Sequence, residues 1–289
     1  MQITLKNDTM TATFDSHGAE LKSIIKDDRE YMWNGDPAFW NRTSPVLFPF
    51  VGALRDGKYR YKEKEYTMGQ HGFARDMEFE EAGHTSTSAS FRLKSNEETL
   101  KKYPFRFELT IMYSLNKNSL EVMWLVKNPS DETMYFSIGA HPAFMVKTAS
   151  DGTIKGNYLQ FDAKEDLTAT DFAEGLVQRS THILKLDEDR CFPLDEHTFD
   201  NGVHILEHDQ VQSVSILDID KKPYVTVEFD SPLVGIWAPE KKNAPFLCIE
   251  PWYGRADACD FDGELSERRY ERYLGAGTVF RGGYKIILN

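Results

Sequence analysis

The chain has 289 residues, with 34 Lys and Arg against 46 Asp and Glu for a formal charge of −12, and it is 40% hydrophobic and 13% aromatic. Nineteen Phe, 13 Tyr and five Trp exclude a disordered chain, because that much apolar surface is enough to bury a core. The acidic balance, with no dense run of Lys or Arg, argues against nucleic acid or an anionic membrane as partner.

Met1 to Glu20 alternates polar and apolar residues and holds no seven-residue apolar run, so no secretory signal is expected. Met1 to Leu5 and Met10 to Phe14 read as the first strands. The longest apolar stretch, Pro45 to Leu54, is interrupted by Pro49 and Gly52 and falls far short of the ~18 residues that span a bilayer. Strand patterns continue at Tyr59 to Tyr61, Ser88 to Leu93 and Arg106 to Ser114. In Ser119 to Lys127, Leu120, Val122, Trp124 and Val126 share one face, and Met123 and Leu125 give the other some apolar character, which marks a central strand. Met134 to Ala140 follows. Asp162 to Phe172 reads as a short helix or a loop, inside a variable excursion expected between Thr148 and Cys191. Further strands fall at Ser213 to Leu217, Tyr224 to Phe229, Val234 to Trp237, Phe246 to Glu250 and Tyr284 to Leu288, and Asp262 to Leu274 has helix-forming composition ending at Gly275. Turn signals such as Asp56-Gly57, Asn128-Pro129 and Asp220 to Pro223 punctuate the series, as in an antiparallel all-β protein. No linker or repeat divides it, so one domain over residues 1–289 is expected. Cys191, Cys248 and Cys259 form no Cys-x-x-Cys pair, which fits a reducing compartment and a cytoplasmic location.

Three polar residues stand where polarity needs a reason. Glu250 closes the apolar run Phe246-Leu247-Cys248-Ile249 and precedes Pro251-Trp252-Tyr253; a carboxyl in such surroundings is either paired or kept for a purpose. His141 closes the strand before it and precedes Pro142, which stops a ladder because it has no N–H to donate. His71 lies in Gln70-His71-Gly72-Phe73-Ala74-Arg75. Each histidine taken alone is more often a structural hydrogen-bonder, and spacing alone does not bring the three together. Aromatic residues crowd Trp33, Phe39, Trp40, Phe48 and Phe50; most belong to a core, while one or two are expected to stack on the C–H face of a sugar.

These segments, together with Trp33-Asn34-Gly35-Asp36-Pro37-Ala38-Phe39-Trp40, Pro45-Val46-Leu47-Phe48-Pro49-Phe50-Val51-Gly52 and His141-Pro142-Ala143-Phe144, resemble the aldose 1-epimerase (galactose mutarotase-like) family, and most of all its LacX-like branch. The resemblance runs nearly end to end. It implies a large antiparallel β-sandwich and a cofactor-free, metal-free isomerase that interconverts the α and β anomers of a hexose or hexose phosphate. It also implies Glu250 as general base, His141 as general acid and His71 as a second histidine near the ring oxygen. Arg55, Arg75, Asp200 and Trp252 are the implied sugar contacts, with Asp200 in an altered motif. A carboxyl near pKa ~4.3 is ionised and a histidine near ~6.5 readily protonated, so the pair is expected in opposite charge states. The expected partner is a small sugar, with a homodimer compatible with the sequence. A non-catalytic sugar-binding or sugar-sensing protein on the same fold is the alternative. A cupin-like metal triad of two His and one Glu lacks the His-x-His or Glu-x-x-His pairing that would support it.

Overall fold

Period-two segments fold into two large antiparallel sheets packed across a shared core, in a computed structural model that describes residues 1–146 and 152–289. Among the described residues, the larger sheet has nine strands in the order Cys191–Pro193, Tyr158–Phe161, Ser213–Leu217, Pro223–Phe229, Val279–Leu288, Ser119–Lys127, Glu108–Asn116, Ser88–Lys94 and Glu80–His84. Ser119–Lys127 is central, as its pattern demands. Leu120, Val122, Trp124 and Val126 are buried against the core, and Trp124 lies opposite Ile111 on one neighbour while Val122 lies opposite Tyr284 on the other.

The second sheet runs Leu176–Leu184, Leu167–Ala173, His204–Leu206, Leu233–Trp237, Phe246–Tyr253, Ile138–Ala140 and Val46–Leu47, with Ala143–Met145 also paired to Phe246–Tyr253. All eight residues of Phe246–Tyr253 are buried, and alternation explains how. Leu247, Ile249 and Tyr253 enter the core between the sheets, whereas Phe246, Cys248 and Trp252 belong to two smaller clusters on the opposite face. A strand covered on both sides reads as a continuous apolar run. Glu250 therefore falls on the face turned away from the core, between Cys248 and Trp252.

Two helix-like readings are corrected. Asp162 to Phe172 is loop followed by the strand Leu167–Ala173, and Asp262 to Leu274 holds a 3-10 turn at Leu265–Glu267 and the strand Arg272–Leu274. Both gain ladder partners that local propensity cannot reveal. The stretch expected to be a variable excursion supplies edge strands to both sheets; its residues 148–151 lie outside those described. The one α-helix among the described residues, Glu97–Lys102, is unforeseen, although Asn96 and Thr99 close a capping box at its start as such a Ser-Asn-Glu-Glu-Thr segment would allow. No described helix is long and apolar enough to cross a membrane.

Candidate active site

Register brings the acid and the base together. Gly139 pairs with Trp252 and Ala143 with Cys248 on the same strand, so counting inward from either pair sets residue 141 opposite residue 250. Pro142 has no N–H to continue the ladder, and the gap it leaves is where the histidine meets the carboxyl. His141 Nε2 stands 3.3 Å from Glu250 Oε2, with both side chains almost wholly buried.

His71 comes from a separate loop. Its Nδ1 accepts from the Gly52 N–H at 3.0 Å while the His71 backbone N–H donates to the Gly52 carbonyl at 2.8 Å. A neutral imidazole that accepts at Nδ1 carries its proton at Nε2, so this side chain is set as a hydrogen-bond donor. Its ring lies 5.7 Å from that of His141, edge to face. The loop needs Gly72: His71 and Gly72 have φ of 65° and 71°, and a Cβ on Gly72 would sit 2.3 Å from the Phe48 carbonyl oxygen.

Aromatic rings enclose the pair. Trp40 stacks on His141 at 4.6 Å, Trp237 meets it edge-on at 5.3 Å, and Trp252 lies flat across the sheet. Glycines on both neighbouring strands make room for that indole, since a Cβ would come within 2.7 Å of it on Gly139 and within 2.5 Å on Gly235. Together with Gln70, Arg75 and Glu240 these groups line a cavity of about 230 Å³, below the ~300–1,000 Å³ of clefts that hold drug-sized ligands. A larger hollow of about 650 Å³ adjoins Gly72, but its lining contains no histidine.

Burial governs the charges. It pushes the Glu250 carboxyl well above the usual range, with the Trp252 side chain opposing, and it pushes His141 down to about 3, with its own carbonyl opposing and Arg75 and Arg42 adding. His71 is likewise held well below the ordinary value by burial, then by His141 and the two arginines. Desolvation disfavours both charged forms, so burial works against the expected opposite charges and favours a proton shared by the pair resting on the carboxyl rather than on the imidazole.

Of the seven residues singled out in the sequence, His71, Arg75, His141, Glu250 and Trp252 share the cavity. Arg75 is held by the Gln70 carbonyl at 2.8 Å and lies 3.7 Å from Asp76; burial lowers it to about 10, with Arg42 adding. Arg55 is not brought in, because it heads a 3-10 turn and its guanidinium donates to the Phe261 carbonyl at 3.1 Å. Asp200 is not brought in either. It accepts from His197 and lines an adjoining cavity of about 690 Å³ that shares Phe172, Val203 and Glu240 with the first. Trp40, Trp237, Gln70 and Glu240 went unmarked as site residues; the Trp33 to Trp40 crowding was the one signal, and it could not show which ring reaches His141.

The antiparallel β-sandwich is the fold of galactose mutarotase-like proteins. The chain belongs to the aldose 1-epimerase family, whose model matches residues 1–268. It is 32% identical over 277 residues, 92% of each chain, to the plasmid-encoded protein LacX of Lactococcus lactis subsp. lactis. Among solved structures it resembles a galactose mutarotase related enzyme of Lactobacillus acidophilus, at 35% identity and a TM-score of 0.94 over 100% of this chain and 97% of that one. A galactose mutarotase-like protein of Lactobacillus casei is 31% identical with a TM-score of 0.94, each chain being covered completely.

Proposed function

We propose that the protein is an aldose 1-epimerase that converts α to β anomers by opening and reclosing the sugar ring, with Glu250 as base and His141 as acid. The observation that carries this reading is the 3.3 Å separation of the two groups. The anomeric hydroxyl and the ring oxygen are bonded to one carbon, so the group that takes a proton from the first and the group that gives one to the second must be neighbours. On binding, the sugar hydroxyls donate to Glu250 and offset its lost hydration, and the shared proton passes to His141. The carboxylate then removes the O1 proton as His141 protonates O5; the C1–O5 bond breaks and the aldehyde forms. Rotation about C1–C2 and the reverse transfers yield the other anomer and restore both groups. His71, with its Nε2 proton, donates to the oxygen that gains charge, and Trp252 supplies the apolar wall.

The substrate proposed is a neutral aldose. Of the described charged residues lining this cavity and the adjoining one, Arg75 is the sole cation, against Asp171, Glu174, Asp200 and Glu240, with the Glu250–His141 pair neutral overall, and such a field repels a phosphate. Exchange spectroscopy by NMR on galactose, glucose and their 6-phosphates tests both statements. Acceleration above buffer is expected for a neutral sugar and little for its phosphate. Sugar-dependent thermal shifts without exchange would instead establish a binding protein.

A further inference from the structure

We propose that His141, Cys248 and Glu250 form a capture site for a single zinc ion, and that the captured ion shuts down proton transfer. The ion acts as an inhibitor, and the reaction above does not use it. Binding stands on the geometry alone; inhibition rests on the acid–base reading of the same site.

A ligand atom from each of the three residues lies within 4.8 Å of the other two, and all three residues are buried. Alternation puts Cys248 and Glu250 on one face of a single strand, and the ladder register sets His141 across from them. Two donors each ~2.0–2.1 Å from a tetrahedral ion are ~3.3 Å apart, and the His141 to Glu250 distance is 3.3 Å. The site also has unspent bonding capacity. Among the described residues Glu250 Oε2 makes no hydrogen bond of good geometry, with His141 Nε2 3.3 Å away, on a residue that is only 1% exposed.

Donor chemistry selects the ion. A thiolate, an imidazole and a carboxylate suit zinc, whereas magnesium and calcium require oxygen ligands. Three protein ligands leave a fourth position for water, and the cavity lined by His141 and Glu250 is where it opens. Coordination releases the thiol proton and the proton shared by the pair to solvent. The ion then occupies the carboxylate that must receive the O1 proton and the imidazole that must protonate O5.

Calorimetric titration of the dialysed full-length protein with zinc chloride tests the binding. One equivalent is expected to bind, with a rise in Tm and reversal by a chelator. In Cys248→Ala the affinity should fall at least about tenfold, while Cys259→Ala, which removes a thiol elsewhere, should match the wild type. Cobalt substitution adds a direct signature: thiolate-to-metal charge-transfer absorption in the wild type and none in Cys248→Ala. Absence of stoichiometric binding to the wild type, or binding unchanged in Cys248→Ala, overturns the site. The rate arm is separate. Zinc should slow anomer exchange at least about tenfold in the wild type and leave Cys248→Ala running; bound zinc with an unchanged wild-type rate refutes the inhibition. Lack of exchange in zinc-free protein for every sugar refutes the epimerase reading, and the calorimetry still decides the site.

Discussion

Where a proton shared by Glu250 and His141 rests follows from desolvation more than from the intrinsic acidity of either group. Removing either should forfeit about 10²–10⁴ in kcat, the usual worth of a positioned acid or base. Glu250→Gln is the sharper case. The amide is nearly isosteric and has no charge to desolvate, so Tm should stay level or rise while anomer exchange collapses; an active variant would dismiss the carboxyl as base. The directions of the shifts also fix the pH profile. Adding a second proton to the pair is resisted because burial has pushed His141 down to about 3, and losing the shared one is resisted because Glu250 is pushed up. The acid limb of kcat/KM should therefore fall well below pH 6.5, and a limb at 6.5 would show an unperturbed imidazole. His71 and His141 stood out in the sequence beside a Gly and a Pro that mark a turn and a strand end, and Glu250 at the close of an apolar run, although its strand continues through Pro251 to Tyr253 rather than ending there. Their protonation was not legible, since it depends on Trp40, Trp237 and Trp252 closing over them from distant segments. Nor was the fate of Arg55, whose guanidinium is engaged by a carbonyl some 200 positions away in the chain.

Strands carry the site by register, and the sequence disclosed most long strands with clean alternation, whereas Glu20–Lys26 and Leu176–Leu184, long but without strict alternation of burial, went unread. The first half of Phe246–Tyr253 announced itself through the apolar run Phe246 to Ile249, whereas Val46–Leu47 and Ala143–Met145 are too short to display a period. Leu167–Ala173 misled for another reason. Its buried Leu167 and Ala169 give way to the half-buried Thr170, Asp171 and Phe172 with a register shift between Thr170 and Phe172, which breaks the alternation that marks a strand. The turn at His71 and Gly72 gives a test at this scale. In Gly72→Ala a left-handed backbone and a Cβ pressed 2.3 Å from the Phe48 carbonyl together should cost at least about 2 kcal/mol. Denaturant unfolding should register the loss, and anomer exchange should slow because the same loop aims His71. A variant of wild-type stability would mean that the loop relaxes without strain.

Across the whole molecule, stability is squeezed between two sets of buried groups. His71 and His141 are depressed, so the unfolded chain binds protons that the folded one refuses, and stability drains away as pH falls below their ordinary 6.5 towards about 3. Glu271 is raised to about 7 by burial, against the opposing pull of Arg268, so the stability its protonated form contributes is lost as pH rises through 7. Tm should peak between these limits, and Glu271→Gln should lessen the alkaline fall while leaving the part that the raised Glu250 carboxyl contributes. Glu271 sits 2.5 Å from Arg268, which also holds Asp257 at 2.7 Å, joining the segment after Trp252 to the tail of the chain. None of this pinning was visible in a net charge of −12, which counts charges without saying which are buried. The aromatic excess noted at the outset has a practical sequel. Three of the five tryptophans, Trp40, Trp237 and Trp252, border the cavity, so the molecule carries its own fluorophores at the site. A sugar seated against them should alter the ultraviolet emission even in Glu250→Gln, giving an optical measure of occupancy that needs no turnover.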